Sequence, residues 1–292
     1  MFAIAVKQQQ YKTYILSDGE GNSRMEIVPE RGGMVTRWQV QGHEILYLDR
    51  ERFANPELSV RGGIPILFPI CGNLPEDTYT HNDREYRLKQ HGFARDLPWE
   101  VTEQITKEVA SITLVLKSSD RTRAVYPFDF ELAFTYKLKG NSLEIDQRYT
   151  NLSDERMPFS TGLHPYFWAP DKSQLQFKIP AVQFCDQKTQ KLHPFTGTFD
   201  LSQDEIDAAF TKITGLSATV KDFSRHLQIG LLYKASYSNL VFWTIKGKDF
   251  YCLEPWTGPR NAINTRKHLL HLNPGQKWET QVRLSADFLE KT

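Results

Sequence analysis

The strongest constraint on the fold of this chain is a side-chain period of two. In "FDFELAFTYKLKGNSLEIDQRYTN", Phe130, Leu132, Phe134, Tyr136 and Leu138 fall on one face, and Glu131, Thr135, Lys137 and Lys139 on the other. Gly140-Asn141 supplies a turn, after which Leu143, Ile145, Gln147 and Tyr149 alternate with Glu144, Asp146, Arg148 and Thr150. Alternation of this kind belongs to strands with one buried face, and a Gly-Asn break between two such runs predicts a hairpin. The pattern recurs along the chain. "SITLVLKSS" (111–119) reads as a strand, and "NLVFWTIKGKDFYCLEPW" (239–256) as two strands joined by Lys246-Gly247-Lys248-Asp249. "KWETQVRLSADF" (277–288) closes the chain with Trp278, Thr280, Val282 and Leu284 on one side. The best helical signal is "SQDEIDAAFTKI" (202–213), with Ser202 as N-cap and Glu205 at the capping-box spacing. No linker divides the sequence and no internal repeat is visible. The expectation is a single all-β domain over residues 1–292, a large, mostly antiparallel β-sandwich.

Composition narrows the function classes. Lys and Arg number 36 against 35 Asp and Glu, a formal net charge of +1. That balance leaves no electrostatic footprint for nucleic acid or an anionic membrane. The apolar runs are strand-length, too short to span a bilayer as helices. Phe2 to Val6 is too short for a signal-peptide core and lacks a preceding basic region. Cys71, Cys185 and Cys252 are scattered, form no CxxC pair and show no metal-ligand spacing, so three free thiols in a reducing cytoplasm are expected. "HLLH" (268–271) has no nearby Cys, Asp or Glu to complete a zinc set and reads as structural. No nucleotide-binding or nucleophile-elbow fingerprint occurs.

Four stretches break the alternation: "RGGIPILFPICGN" (61–73), "QHGFARDLPWE" (90–100), "STGLHPYFW" (160–168) and "YCLEPWTGPRNAIN" (251–264). Two prolines inside the first apolar run exclude an ordinary central strand. Glu254 follows Phe250 and Cys252 at strand spacing, so a carboxylate continues an apolar face. Either it is a strand-end glutamate reaching water, or it is a buried carboxyl with a raised pKa, suited to general-base work. His164 shares strand parity with Ser160 and Gly162. Small neighbours would leave open volume beside the imidazole, with Tyr166 and Trp168 offering flat faces to a sugar ring. The alternative is a partly buried histidine bonded to a backbone carbonyl, with the aromatics as core. His91 has the same two readings.

Taken together and in this order, the four stretches resemble the aldose 1-epimerase (galactose mutarotase-like) family, over about residue 30 to the C-terminus. The resemblance implies the galactose mutarotase-like supersandwich fold and interconversion of sugar anomers without metal or organic cofactor. It implies Glu254 as catalytic base, His164 as catalytic acid in its imidazolium form, His91 as second active-site histidine and Arg61 as a lining arginine. Asp207, in a D-x-x-F context, resembles the family's sugar-binding aspartate. "RGGIP" and "HGFAR" are similar to the hexose-6-phosphate mutarotases, where arginines hold the phosphate; Arg61 and Arg95 are the matching positions. "PILFPICG" with the spacer after it resembles another branch. The expected partner is therefore a small-molecule sugar or sugar phosphate. The competing expectation is a non-catalytic carbohydrate-binding or sugar-sensing protein on the same fold.

Overall fold

The computed structural model describes residues 1–290. Two eight-stranded antiparallel sheets dominate it. The large sheet runs Leu175–Lys178, Ser217–Asp222, Leu227–Tyr233, Lys277–Phe288, Ser142–Asn151, Phe130–Lys139, Ala110–Lys117 and Glu100–Ile105. The second, here called the site sheet, runs Leu192–Pro194, Gln183–Asp186, Glu205–Phe210, Asn239–Ile245, Phe250–Trp256, Gly162–Leu163 and Ile66–Leu67, and Tyr166–Trp168 also pairs with Phe250–Trp256. A five-stranded N-terminal meander, Phe2 to Glu44, lies beside them, and Tyr136 Oη in the large sheet donates to the Gly33 carbonyl at 2.7 Å. No helix is long and apolar enough to cross a membrane among the described residues.

The alternation is realised as burial. Phe130, Leu132, Phe134, Tyr136 and Leu138 are fully buried, while Glu131, Thr135 and Lys137 face outward. The turn at Gly140-Asn141 sets the register Lys139 with Ser142 through Phe130 with Asn151. Phe68, on the segment leading from the site sheet, puts its ring 5.1 Å from Phe130, 5.7 Å from Phe159 and 6.0 Å from Tyr149. These aromatic contacts join the site sheet to the large sheet with edge-on and tilted geometry. The buried cluster is continuous from Tyr14 to Ala286. Cys71, Cys185 and Cys252 are all free.

One expected element changes type. Residues 202–213 do not form a helix; Glu205–Phe210 is a strand paired with Asn239–Ile245, with Asp207 opposite Trp243. Ser202 caps nothing helical: its hydroxyl donates to Asp200 Oδ1 at 2.6 Å. The run carries both periods, because Ile206, Ala209 and Phe210 fit a helical stripe while Ile206, Ala208 and Phe210 fit a strand face. The free edge of Asn239–Ile245 decides between them, since ladder pairing and burial outweigh a weak local preference. The outcome matters for the site, because a strand turns Glu205 and Asp207 together away from the core.

Candidate active site

All six residues singled out from the sequence line one cleft of 310 Å³ on the site sheet: Arg61, His91, Arg95, His164, Asp207 and Glu254. That volume is at the small end of ligand pockets, which run from roughly 300 to 1,000 Å³. Larger hollows of 580 Å³ over the N-terminal sheet and 700 Å³ over the polar face of the large sheet hold neither a histidine nor a buried carboxylate.

Glu254 sits mid-strand in Phe250–Trp256, every residue of which is buried. Its side chain is 1% exposed, and Oε1 lies 3.4 Å from His164 Nε2. Oε2 accepts the Trp256 indole N–H at 3.1 Å. Burial raises the Glu254 pKa well above the ordinary carboxyl value, and nearby Asp207 adds to the rise. Burial likewise pushes His164 down to about 3, assisted by the Arg95 charge. Low dielectric disfavours both charged forms, so burial favours the neutral pair, with the shared proton on the carboxyl rather than on the imidazole. The imidazolium expected of His164 is the tautomer reached by moving that proton across to Nε2.

His164 is placed by its backbone. Its N–H donates to the Pro65 carbonyl at 3.0 Å, and the flanking Ser160 and Tyr166 N–H groups donate to Pro69 and Gly63. The Tyr166 ring stacks on the imidazole at 4.7 Å and 8°. The small residues before it serve a different purpose from the one expected. The space at Gly162 is filled, because a Cβ there would lie 2.7 Å from the Trp256 indole. Trp168 does not face the cleft; the Arg225 guanidinium covers its ring at 4.5 Å. The flat faces in the cleft come from Tyr166, Trp243 and Trp256.

His91 has a defined tautomer. Its Nδ1 accepts the Gly72 N–H at 3.0 Å, while the His91 backbone N–H donates to the Gly72 carbonyl at 2.8 Å. A ring nitrogen that accepts carries no proton, so Nε2 does. Burial holds His91 well below the ordinary imidazole value, so it is a neutral donor. Gly72 is needed for this clip: its φ is 73°, and a Cβ would lie 2.2 Å from Arg260 Cγ.

Arg260 is the main residue that the sequence reading passed over, although it lies inside "EPWTGPRNAIN". It forms a two-pronged ion pair with Asp207, at 2.8 and 3.3 Å. Its guanidinium lies 5.6 Å from the Trp256 ring centroid. Burial nonetheless raises the Asp207 pKa. The signal available in the sequence was a lone arginine after Gly-Pro, which names no partner. Glu205 and Trp243 were also missed. Glu205 pairs with Lys188 at 2.7 Å and accepts the Trp243 indole N–H at 2.8 Å.

The lining carboxylates are thus matched or neutral, and the arginines are in excess. Arg95 is half-buried, gives one hydrogen bond to the Gln90 carbonyl at 2.8 Å, and leaves Nε without a partner. It forms no ion pair with Asp96 or Glu100. Arg61 lies 5.8 Å from the Trp243 ring centroid. Arg52, also lining the cleft, donates to the Ser59 carbonyl at 3.1 Å. None of the three has an ion-pair partner among the described residues. His164, Cys252 and Glu254 bring one ligand atom each within 4.8 Å of one another, all buried. The Cys252 thiol, however, belongs to the apolar cluster with Tyr166 and Phe250.

Residues 13–285 match the aldose 1-epimerase family. The Slr1438 protein of Synechocystis sp. PCC 6803 is 49% identical, with a TM-score of 0.94 over 99% of this chain and 100% of that one. A galactose mutarotase-like protein of Clostridium acetobutylicum is 21% identical and has the same fold, with a TM-score of 0.84 over 99% of each chain. A Cenchrus ciliaris protein called "Putative glucose-6-phosphate 1-epimerase" is 24% identical over 98% of this chain and 88% of its own length.

Proposed function

Because the chain belongs to the aldose 1-epimerase family, we propose that it interconverts the α and β anomers of a hexose 6-phosphate. The observation that carries this reading is the buried Glu254–His164 pair, 3.4 Å apart in a cleft whose other walls hold three arginines without carboxylate partners. A sugar-binding module needs the aromatic faces and hydroxyl partners. It has no use for a buried carboxyl and imidazole placed to share one proton.

A cyclic aldose is a hemiacetal. Opening it removes the proton of the C1 hydroxyl, breaks the bond between C1 and the ring oxygen as C1 becomes a carbonyl, and returns a proton to the ring oxygen. The reactive pair is Glu254 carboxylate with His164 imidazolium, one internal proton transfer away from the resting form. Glu254 Oε1 takes the C1 hydroxyl proton and His164 Nε2–H protonates the ring oxygen. Rotation about C1–C2 presents the other carbonyl face. Reclosure then reverses the two roles, so the pair ends with the proton count it began with. His91, a fixed neutral donor, and the Asp207–Arg260 pair hold hydroxyl groups. Arg61 and Arg95 hold the phosphate: a guanidinium fork gives two parallel hydrogen bonds to phosphate oxygens.

The test is anomer exchange followed by NMR or polarimetry, with glucose, galactose and their 6-phosphates run against an enzyme-free blank. Acceleration is expected to be greatest for a 6-phosphate. Binding without acceleration of any sugar would overturn catalysis; equal efficiency on glucose and glucose 6-phosphate would overturn the phosphate assignment alone.

A further inference from the structure

The turn at residues 29–33, between Ser23–Val28 and Met34–Val40, lies outside the cleft yet touches the backbone of the Arg95 wall and the segment that joins Arg52 to Arg61. On one side it is pressed against the Arg95 peptide. Gly32 N–H donates to Leu97 O at 3.1 Å, and Trp99 N–H donates to Pro29 O at 2.9 Å. Gly32 has φ of 78°, and a Cβ there would lie 2.2 Å from the Arg95 carbonyl oxygen. No side chain can stand between the turn and Arg95.

On the other side, Arg31 reaches the segment that leads to Arg61. Its Nη2 donates to Asn55 O at 2.9 Å and Leu58 O at 2.6 Å, and Nη1 donates to Pro56 O at 3.4 Å. Arg31 is only 5% exposed, its Nε has no partner, and no carboxylate pairs with it among the described residues. The segment requires such a hold. Every residue from Ala54 to Ser59 is exposed, so hydrophobic burial does not fix its path. At and beyond its ends stand Arg52, Ser59, Val60 and Arg61, all lining the cleft.

A buried guanidinium facing backbone carbonyls without a counter-charge is costly. An apolar side chain would fill the same space at lower cost. What a guanidinium does that an apolar side chain cannot is gather three carbonyls of one loop into a fixed arrangement from two separate nitrogens. We propose that Arg31 is a positioning residue for phosphate selectivity: through the 29–33 turn it sets the Arg52–Arg61 wall against the Arg95 wall, so that both meet one phosphate. The proposal rests on the phosphosugar reading above. Arg31 itself touches no substrate.

The experiment uses Arg31→Lys and Arg31→Gln in the full chain. Amide hydrogen exchange is measured over residues 54–60, and kcat and KM on glucose 6-phosphate and on glucose. Lysine keeps the charge but gathers its donors on one nitrogen, so it cannot reproduce the two-nitrogen hold on Pro56 together with Asn55 and Leu58, and it carries the test if glutamine prevents folding. Exchange over 54–60 should quicken in the folded variant. KM for glucose 6-phosphate should rise roughly tenfold, the loss expected for one misplaced charge-assisted hydrogen bond. The kcat on either sugar and KM for glucose should stay within about twofold. Unchanged exchange over 54–60 in Arg31→Lys would overturn the clamp. Equal losses on both sugars would overturn the selectivity role and leave a structural one. Failure of the phosphosugar reading is seen separately, in a wild type indifferent to the phosphate.

Discussion

Glu254→Gln separates chemistry from folding in this protein more cleanly than any other substitution. Glutamine has the shape of a protonated glutamic acid, which is the form that burial favours at this position. Its amide oxygen can accept the Trp256 indole N–H now 3.1 Å from Oε2, and its NH₂ can face His164 Nε2 across the present 3.4 Å. The substitution leaves no further buried polar group unpaired beyond His164 Nδ1, which already lacks a partner, so the fold should be retained. Catalysis should not be, because an amide cannot take the C1 hydroxyl proton. A positioned base contributes about 10²–10⁴-fold, so turnover should fall by that factor, equivalent to roughly 3–5.5 kcal/mol of transition-state stabilisation. Stability gives a second readout with a definite sign. A carboxyl whose folded pKa is raised contributes stability that is full below its unfolded value, about 4.5, and is lost as pH rises toward the folded value. Glutamine does not titrate. The variant should therefore gain on the wild type as pH rises from 4 toward neutrality, by at most about 1.4 kcal/mol per pH unit. Thermal melts at several pH values and anomer exchange by NMR measure both effects. Near-wild-type exchange by a folded variant would remove Glu254 from the mechanism. A stability gap that does not widen with pH would refute the buried proton.

Other outcomes follow from the same geometry. His164→Asn should lower kcat strongly, whereas His91→Asn should act mainly on KM, because an asparagine oxygen can still accept the Gly72 N–H; kinetics showing His91 more important for turnover would exchange their roles. The profile of kcat/KM against pH should be bell-shaped with limbs that belong to the pair. Its acid limb should lie below the ordinary imidazole value, since burial pushes His164 down to about 3, and its base limb above the ordinary carboxyl value, since burial raises Glu254. A profile with a single limb at the ordinary imidazole value would refute the shared-proton state. Arg95→Ala should raise KM for glucose 6-phosphate much more than for glucose, and the wild-type preference should weaken with added salt. Equal losses on the two sugars would release Arg95 from the phosphate.

Much of this architecture is local in origin, and so it is legible in the sequence. Alternation over 130–151 and 239–256 sets which faces are buried, because the strand period depends only on backbone geometry. The same period places Glu254 on an apolar face but leaves open whether it reaches water at a strand end or is buried; the strand's full burial decided that. Tertiary contact decided what periodicity leaves open. Residues 205–210 carry both a helical and a strand pattern, and pairing with Asn239–Ile245 chose the strand. Gly162 read as open space, but Trp256 fills it. Arg260 meets Asp207 across 53 residues of chain, and Arg31 meets Leu58 across 27. Local pattern determines which way a side chain points relative to its own strand. Which partner it meets depends on how separate strands and loops are brought together, and that information is held in the packing of the whole chain.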